Sequence, residues 1–146
     1  MRGDRVAGIE HIIFAARNAV DSFRGKSRRA KHLSMELLLF ASGEHQIVEA
    51  IKLMGVDTSS MELVLVGLSE TELDSNLLSG EVAKVVQGVP DDTVLEIGTL
   101  AKARALRKAY NISDGELNSS RMPGEAENSA LKRLIIERSA LLALEN

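Results

Sequence analysis

The sequence contains no cysteine and no tryptophan, and aromatic residues make up only 3% of its 146 residues. Without cysteine the chain can form no disulfide, no thiolate metal site and no cysteine nucleophile. A secreted disulfide scaffold is therefore excluded, and a cytoplasmic protein is expected. Because aromatic side chains are so few, the core must consist of Leu, Ile, Val and Ala, and a surface that stacks several bases is not expected.

Long apolar runs are also missing, since none approaches the roughly 20 residues needed to cross a membrane. No membrane partner is therefore expected, and the N-terminus does not have the pattern of a signal peptide. The length predicts one domain, residues 1–146, with a single hydrophobic core. Hydrophobic residues at 45% and charged residues at 27% are typical of a folded globular protein.

Charge is distributed unevenly along the chain, whose net charge is −3. Residues 1–32 carry eight Lys and Arg against three Asp and Glu, a net of +5. Residues 33–100 carry two against twelve, a net of −10, and residues 101–146 carry eight against six, a net of +2. Basic ends beside an acidic middle allow a local positive patch on a chain that is acidic overall.

The apolar pattern predicts an α/β (α+β) fold, in which helices flank a small antiparallel or mixed central sheet. Short apolar runs predict strands over residues 9–16, 61–68 and 93–97, the second of them central and covered on both faces. Helical spacing predicts helices over residues 33–41, about 44–54, 100–110 and about 125–144. Capping boxes at Ser69 and Ser113 mark two further helix starts, and residues 82–86 fit a helix or a strand.

Catalytic and metal-binding patterns are absent from the sequence. The three histidines lack the spacing of a metal site, and His11 is interpreted as a buried structural histidine. Asp91 and Asp92 are adjacent on a predicted turn, so their side chains point apart and a solvated turn is favoured over a carboxylate pair. We therefore expect a protein that is not an enzyme, without a catalytic residue, a metal or a cofactor.

The most informative segment is the corner, residues 42–47, which lies between two predicted helices. Ser42 and Gly43 interrupt the apolar pattern, and the backbone N–H groups from about Glu44 to Ile47 would begin the next helix without intrahelical partners. Together with the helix dipole such groups bind anions, and His45 and Gln46 would add donors at the same end. The residues alone do not distinguish this anion site from an ordinary helix cap.

A basic run precedes the corner, with five Lys and Arg among residues 24–31. Arg28, Arg29 and Lys31 could neutralise phosphates if this run folds near the corner, and a solvated loop is the alternative. The intervening helix of about nine residues is roughly 13 Å long, a span that the phosphates of neighbouring nucleotides could bridge.

The C-terminal helix carries apolar residues at helical spacing and more of them than one buried stripe needs. Burial inside the fold and contact with a partner protein are both consistent with this pattern. The residues of the stripe are Leu131, Leu134, Ile135, Arg138, Leu141 and Leu142.

Several of these segments together resemble the TPRKB-type accessory subunit of KEOPS, the complex that modifies tRNA. The resemblance rests on IIFAARNAV at residues 12–20, on MELLL at 35–39 with ASG at 41–43, and on QI at 46–47 with EAI at 49–51 before Gly55. DDTVLEI at residues 91–97 and YNI at 110–112 support it. It covers most of the chain, from about residue 9 to the C-terminal helix.

The resemblance implies a subunit that binds the small kinase of KEOPS and captures the single-stranded 3′ CCA end of tRNA. By this resemblance the CCA end would contact Ser42, Gly43, Glu44, His45, Gln46 and Ile47. Arg28, Arg29 and Lys31 would neutralise nearby phosphates, and the C-terminal helix would contact the kinase. A structural adaptor that activates the kinase with little RNA contact is the alternative, and a small enzyme with an unrecognised pocket is a third reading. A homodimer of the isolated chain is left open.

Overall fold

The structure, a computed structural model, describes residues 1–25 and 27–145, so that Lys26 of the basic run lies outside the described residues. That part of the chain folds into seven α-helices with two short 3₁₀ helices, at Gly3–Arg5 and Asp92–Leu95. The α-helices are α1 (Ile9–Arg24), α2 (Leu33–Ser42), α3 (Ile47–Met54), α4 (Ser75–Val86), α5 (Leu100–Ala109), α6 (Asp114–Ser120) and α7 (Glu127–Leu144).

The predicted α/β fold with a central sheet is wrong. Across the described residues the β pairing consists of one isolated antiparallel bridge, between Arg2 and Leu63. Residues 9–16, predicted as a strand, form the first half of α1, and most of residues 93–97 lie in the second 3₁₀ helix. The fold class is therefore all-helical over this part of the chain.

Helix α1 replaces the first predicted strand because its buried residues follow a helical period and not an alternating one. They are His11, Ile12, Ala15, Ala19 and Ser22, spaced one, three and four residues apart on one face. This face packs against α2 and α7. A short apolar run such as residues 9–16 does not distinguish the two periods by itself, and tertiary packing selects the helix.

Residues 61–68, predicted as a strand covered on both faces, are extended but mostly uncovered. Met61 is 93% exposed and Leu65 is 60% exposed, whereas Val64 is buried. The pairing is made with the N-terminus: the amino group of Met1 donates to the Val64 carbonyl oxygen, and the Val64 N–H donates to the Met1 carbonyl oxygen, each at 2.8 Å. The apolar composition of this segment therefore does not mean that its side chains are buried.

The helix predicted from the capping box at Ser69 begins later, at Ser75. Asp74 is its N-cap and accepts from the N–H groups of Asn76 and Leu77, whereas the Ser69 hydroxyl bonds to the N–H and the hydroxyl of Thr71. Residues 82–86, left open between helix and strand, belong to α4. This helix has no buried residue, so it contributes little to the core.

Three predicted helices agree with the structure to within two residues: α2, α5 and α7. The capping box at Ser113 is also confirmed, because the Ser113 Oγ accepts from the Glu116 N–H at 3.1 Å and α6 follows it. Thr99 caps α5 in the same way, accepting from the Lys102 N–H. A polar side-chain cap therefore marks the starts of α5 and α6, whereas α2 and α7 begin without one.

The core consists of two clusters of buried side chains, which α7 joins. One cluster lies among α1, α2 and α3 and receives Leu142 from the end of α7. The other lies among α5, α6 and α7 and includes Leu106, Leu117 and Leu131. No helix of the described residues is long and apolar enough to span a membrane.

Candidate functional site

The corner, residues 42–47, begins where α2 ends in a left-handed glycine. Gly43 has φ 68° and ψ 19°, and its N–H donates to the Phe40 carbonyl oxygen at 3.3 Å. A Cβ atom at this position would lie 3.1 Å from the Cβ of Arg138 on α7. Glycine is therefore required both by the backbone conformation and by the close approach of α7.

Buried side chains hold the last carbonyl groups of α2. The Ala41 carbonyl oxygen accepts from the His11 Nε2–H at 2.8 Å and from the Tyr110 hydroxyl at 2.9 Å. The Phe40 carbonyl oxygen accepts from the Ser139 hydroxyl at 2.6 Å. Because α1, α7 and the C-cap residue of α5 each supply one of these donors, three helices fix the start of the corner.

His11 and Tyr110 are held neutral by their surroundings. Burial lowers the pKa of His11 to about 4, against the weaker opposing effect of its hydrogen bond to Ala41. Burial also raises the pKa of Tyr110. His11 is the structural histidine that the sequence predicts, although it lies on a helix and not on a strand. Neither residue is exposed to a ligand.

Helix α3 begins at Ile47, about three residues later than predicted. The first intrahelical bond runs from the Ala50 N–H to the Gln46 carbonyl oxygen at 3.0 Å. The N–H groups of Ile47, Val48 and Glu49 therefore precede the hydrogen-bonded part of the helix, and no side chain of the described residues caps them. These groups form the donor set at the start of α3, whereas the Glu44 N–H already donates to the Leu39 carbonyl oxygen.

The side chains of the corner differ in exposure. His45 and Gln46 are exposed, and the Nδ1 of His45 lies 3.2 Å from a carboxylate oxygen of Glu145. Ile47 is partly buried and packs against the core. Val48 is 60% exposed in the first turn of α3 and is the apolar surface residue that sequence reasoning missed. Its position off the buried stripe of α3 is the signal that could have identified it.

The cations of the basic loop, residues 27–31, differ in their roles: some are exposed, and one bonds inside the fold. Arg28 and Lys31 are exposed, and the Arg28 guanidinium lies 5.7 Å from the ring centroid of Phe23. Arg29 is used inside the fold, because its Nη2 donates to the Leu142 carbonyl oxygen at 2.9 Å. Of the three cations predicted to contact phosphates, Arg28 and Lys31 are therefore available.

A buried carboxylate shapes this loop. Glu36 on α2 has no exposed surface and accepts from the Ser22 hydroxyl at 2.7 Å and from the N–H groups of Ala30 at 2.8 Å and Arg29 at 3.1 Å. A buried charge persists only when its hydrogen-bonding capacity is used in this way. Glu36 thus fixes the backbone on which Arg28 and Lys31 stand.

The corner and the basic loop both contact the C-terminal end of α7. Arg29 bonds to the carbonyl of Leu142, and His45 pairs with Glu145, three residues later. Three residues correspond to about 4.5 Å along a helix. Both segments, which lie at opposite ends of α2, therefore contact the same end of α7.

The stripe predicted on the C-terminal helix divides into core and surface residues. Four members pack inside the chain's own core and are not accessible to a partner: Leu131, Leu134, Ile135 and Leu142, none of them more than 7% exposed. Leu141 is 58% exposed, and Arg138 is half-buried in an ion pair with Glu116 at 3.0 Å. Leu144, an apolar residue off that stripe, is 80% exposed.

Among residues 1–25 and 27–145, no cluster of three or more His, Asp or Glu side chains could hold a metal ion. The neutral, buried His11 and the paired His45 each have a local structural explanation.

Comparison with known proteins identifies the class. Residues 2–143 match the family model described as kinase binding protein CGI-121. The chain is also 31% identical over 112 residues to "Regulatory protein Cgi121" of Methanocaldococcus jannaschii, in an alignment covering 77% of this chain and 68% of that relative. The family description names a kinase-binding protein, and the description of the relative names a regulatory protein. The chain belongs to the CGI-121 family, and the resemblance to the TPRKB-type subunits of KEOPS is confirmed.

Proposed function

We propose that this chain is a non-catalytic accessory subunit of KEOPS that binds the small kinase subunit and the single-stranded 3′ CCA end of tRNA. In this role it supports the threonylcarbamoyl modification of the adenosine beside the anticodon, whose chemistry belongs to another subunit. The kinase partner follows from the family. The observation that supports the RNA role is that the corner and the basic loop both contact the end of α7.

The start of α3 suits an RNA end because it offers free donors beside an apolar surface. A phosphate can accept from the N–H groups of Ile47, Val48 and Glu49, where the helix dipole also favours negative charge. Exposed His45 and Gln46 can reach base edges, and the side chain of Val48 offers apolar contact. Single-stranded ends are suitable ligands because their bases can be splayed and contacted one at a time.

Arg28 and Lys31 supply the charge for this contact. Neither makes an ion pair with a described residue, so their charge is available to phosphates. Glu36 holds the loop backbone, which lowers the entropic cost of ordering it when RNA binds.

The kinase contact is proposed for the outer face of α7. Leu141 and Leu144 present apolar side chains there, and α1, which packs against α7, exposes Ile9 and Ile13 at 44% and 43%. Exposed apolar side chains on two packed helices are typical of a protein–protein contact.

Binding of intact tRNA and of tRNA trimmed of its CCA end tests the RNA role. We expect the intact tRNA to bind more tightly, and Val48→Glu to reduce its binding to that of the trimmed tRNA by placing a carboxylate beside the free N–H groups. Val56→Glu is the matched control, since Val56 is 53% exposed and lies beyond the end of α3. Equal affinity for the two tRNAs would refute CCA capture and leave the adaptor function.

A further inference from the structure

A second basic surface lies at the end of α5, away from the basic loop. It is a groove of about 330 Å³ between the last turn of α5 and the start of α6. Its lining comprises Arg104, Arg107, Lys108, Asn111, Ile112 and Ser113. Three of these six residues are cations, and neither the basic loop nor the corner contributes to the groove.

The positive charge of the groove is only partly compensated. Arg107 pairs with the carboxylate of Asp114, whereas Arg104 and Lys108 are exposed and make no ion pair within the described part of the chain. The Nε of Arg107 is buried and has no hydrogen-bond partner among those residues. An anion in the groove would therefore meet the two free cations, Arg104 and Lys108.

Capping of the helix end does not explain this cluster. The carbonyl oxygens at the end of α5 are already occupied by backbone donors: Leu106 accepts from the Tyr110 N–H, Arg107 from the Ile112 N–H and Lys108 from the Asn111 N–H. The basic side chains are thus not needed to satisfy these groups, although they interact favourably with the helix dipole.

The groove is connected to the corner through Tyr110. This residue ends α5, and its hydroxyl donates to the carbonyl oxygen of Ala41, directly before Ser42. A second link passes through Arg138, which pairs with Glu116 on α6 and packs against Gly43. Two side chains therefore connect the helices that line the groove to the start of the corner.

We infer that the α5 groove binds phosphates of the tRNA acceptor strand next to the CCA end, an inference that rests on the proposed tRNA-binding function. Arg and Lys contacts to phosphates position a nucleic acid without reading its sequence. No aromatic side chain lines the groove, so it suits the RNA backbone and not stacked bases. The corner would hold the single-stranded end, and the groove would fix the strand that leads to it.

The test removes the two free cations with Arg104→Gln and Lys108→Gln together. The matched control is Arg17→Gln with Lys84→Gln, which removes the same charge from exposed positions on α1 and α4. Affinity for intact and CCA-trimmed tRNA is measured from about 50 to 200 mM salt, the range over which phosphate contacts are strongly screened. Circular dichroism compares the folding of the variants.

We expect the α5 variant to lose affinity for both tRNAs by the same factor, roughly tenfold or more at the lowest salt. The slope of log affinity against log salt should fall by about 0.7 for each phosphate that the groove no longer neutralises. An unchanged slope, or an equal loss of affinity in the control, would overturn the inference. If intact and trimmed tRNA bind equally well and both still require Arg104 and Lys108, the result supports phosphate binding at the groove and refutes CCA binding at the corner.

Discussion

The imidazole of His11 on α1 donates from Nε2 to the carbonyl oxygen of Ala41 at the end of α2, at 2.8 Å. Its Nδ1 accepts from the Ala7 N–H at 3.2 Å, which assigns the hydrogen to Nε2. Tyr110 donates to the same Ala41 oxygen from α5. A neutral histidine therefore connects the N-terminal segment to the segment that begins the corner.

This relationship predicts a pH dependence of stability. Burial lowers the pKa of His11 to about 4, from about 6.5 in an unfolded chain, so the unfolded chain binds the proton more tightly. The contribution of neutral His11 to the free energy of unfolding is complete above about pH 6.5. As the pH falls towards 4, the free energy of unfolding decreases by about 3 kcal/mol. Urea denaturation of the wild type at pH 7, 5.5 and 4.5 measures this loss.

The control for this prediction is His11→Gln, which does not titrate but retains an amide donor for Ala41. Carboxylates titrate in both proteins, so the difference between the two pH profiles isolates the histidine. Parallel profiles between pH 6.5 and 4.5 would contradict the assignment.

Gly43→Ala should destabilise the fold by about 1–3 kcal/mol, since alanine is strained at φ 68° and its Cβ would lie 3.1 Å from that of Arg138. Gly80→Ala on α4 is the comparison, because a Cβ there meets no atom within 4 Å and alanine is favoured in a helix. Chemical denaturation should show opposite signs for the two variants. Changes in the free energy of unfolding of the same sign and size for both variants would contradict the role given to Gly43.

Glu36→Gln should cost about 2–3 kcal/mol, because an amide NH₂ would replace one of the two oxygens that accept from Ser22, Arg29 and Ala30. Hydrogen exchange should show faster exchange at the Ala30 amide. The exposed Glu49→Gln is the control, and its denaturation midpoint should stay close to that of the wild type. If the denaturation midpoint of Glu36→Gln shifts as little as that of Glu49→Gln, the loop does not depend on the carboxylate.

Leu141→Arg and Leu134→Arg should separate partner binding from folding. Leu141 is 58% exposed, so its substitution should leave the melting temperature nearly unchanged while weakening co-elution with the kinase subunit. Leu134 is 7% exposed, and an unpaired charge there should cost about 4 kcal/mol or more.

Leu77→Arg, at 67% exposure on α4, is the control for the kinase contact. We expect this variant to retain the kinase. If Leu141→Arg also retains it at wild-type affinity, the outer face of α7 is not the interface.

The sequence by itself determined the elements whose signals are local. Ser113 caps α6 and Thr99 caps α5 with their own side chains, and the apolar run of residues 33–41, which ends at Gly43, indicates α2. Gly43 ends α2 because a left-handed residue costs least as glycine. The family resemblance also came from the sequence, since it rests on particular residues in order and not on their packing.

Only the tertiary structure decided which apolar residues are covered. Residues 9–16 and 61–68 are similarly apolar, yet the first form a helix packed on α2 and α7 while Leu65 of the second is largely exposed. Periodicity is ambiguous in runs this short, and non-local contacts resolve it.

The same holds for the cations and for the stripe on α7. Arg28 and Arg29 are neighbours in sequence, but only Arg29 is used inside the fold. Its guanidinium donates to the carbonyl oxygen of Leu142, 113 residues away. Leu134 and Leu141 lie on one predicted stripe, but the core covers only the first. Whether a charge or an apolar side chain is free for a ligand depends on contacts distant in sequence, and residue spacing does not specify them.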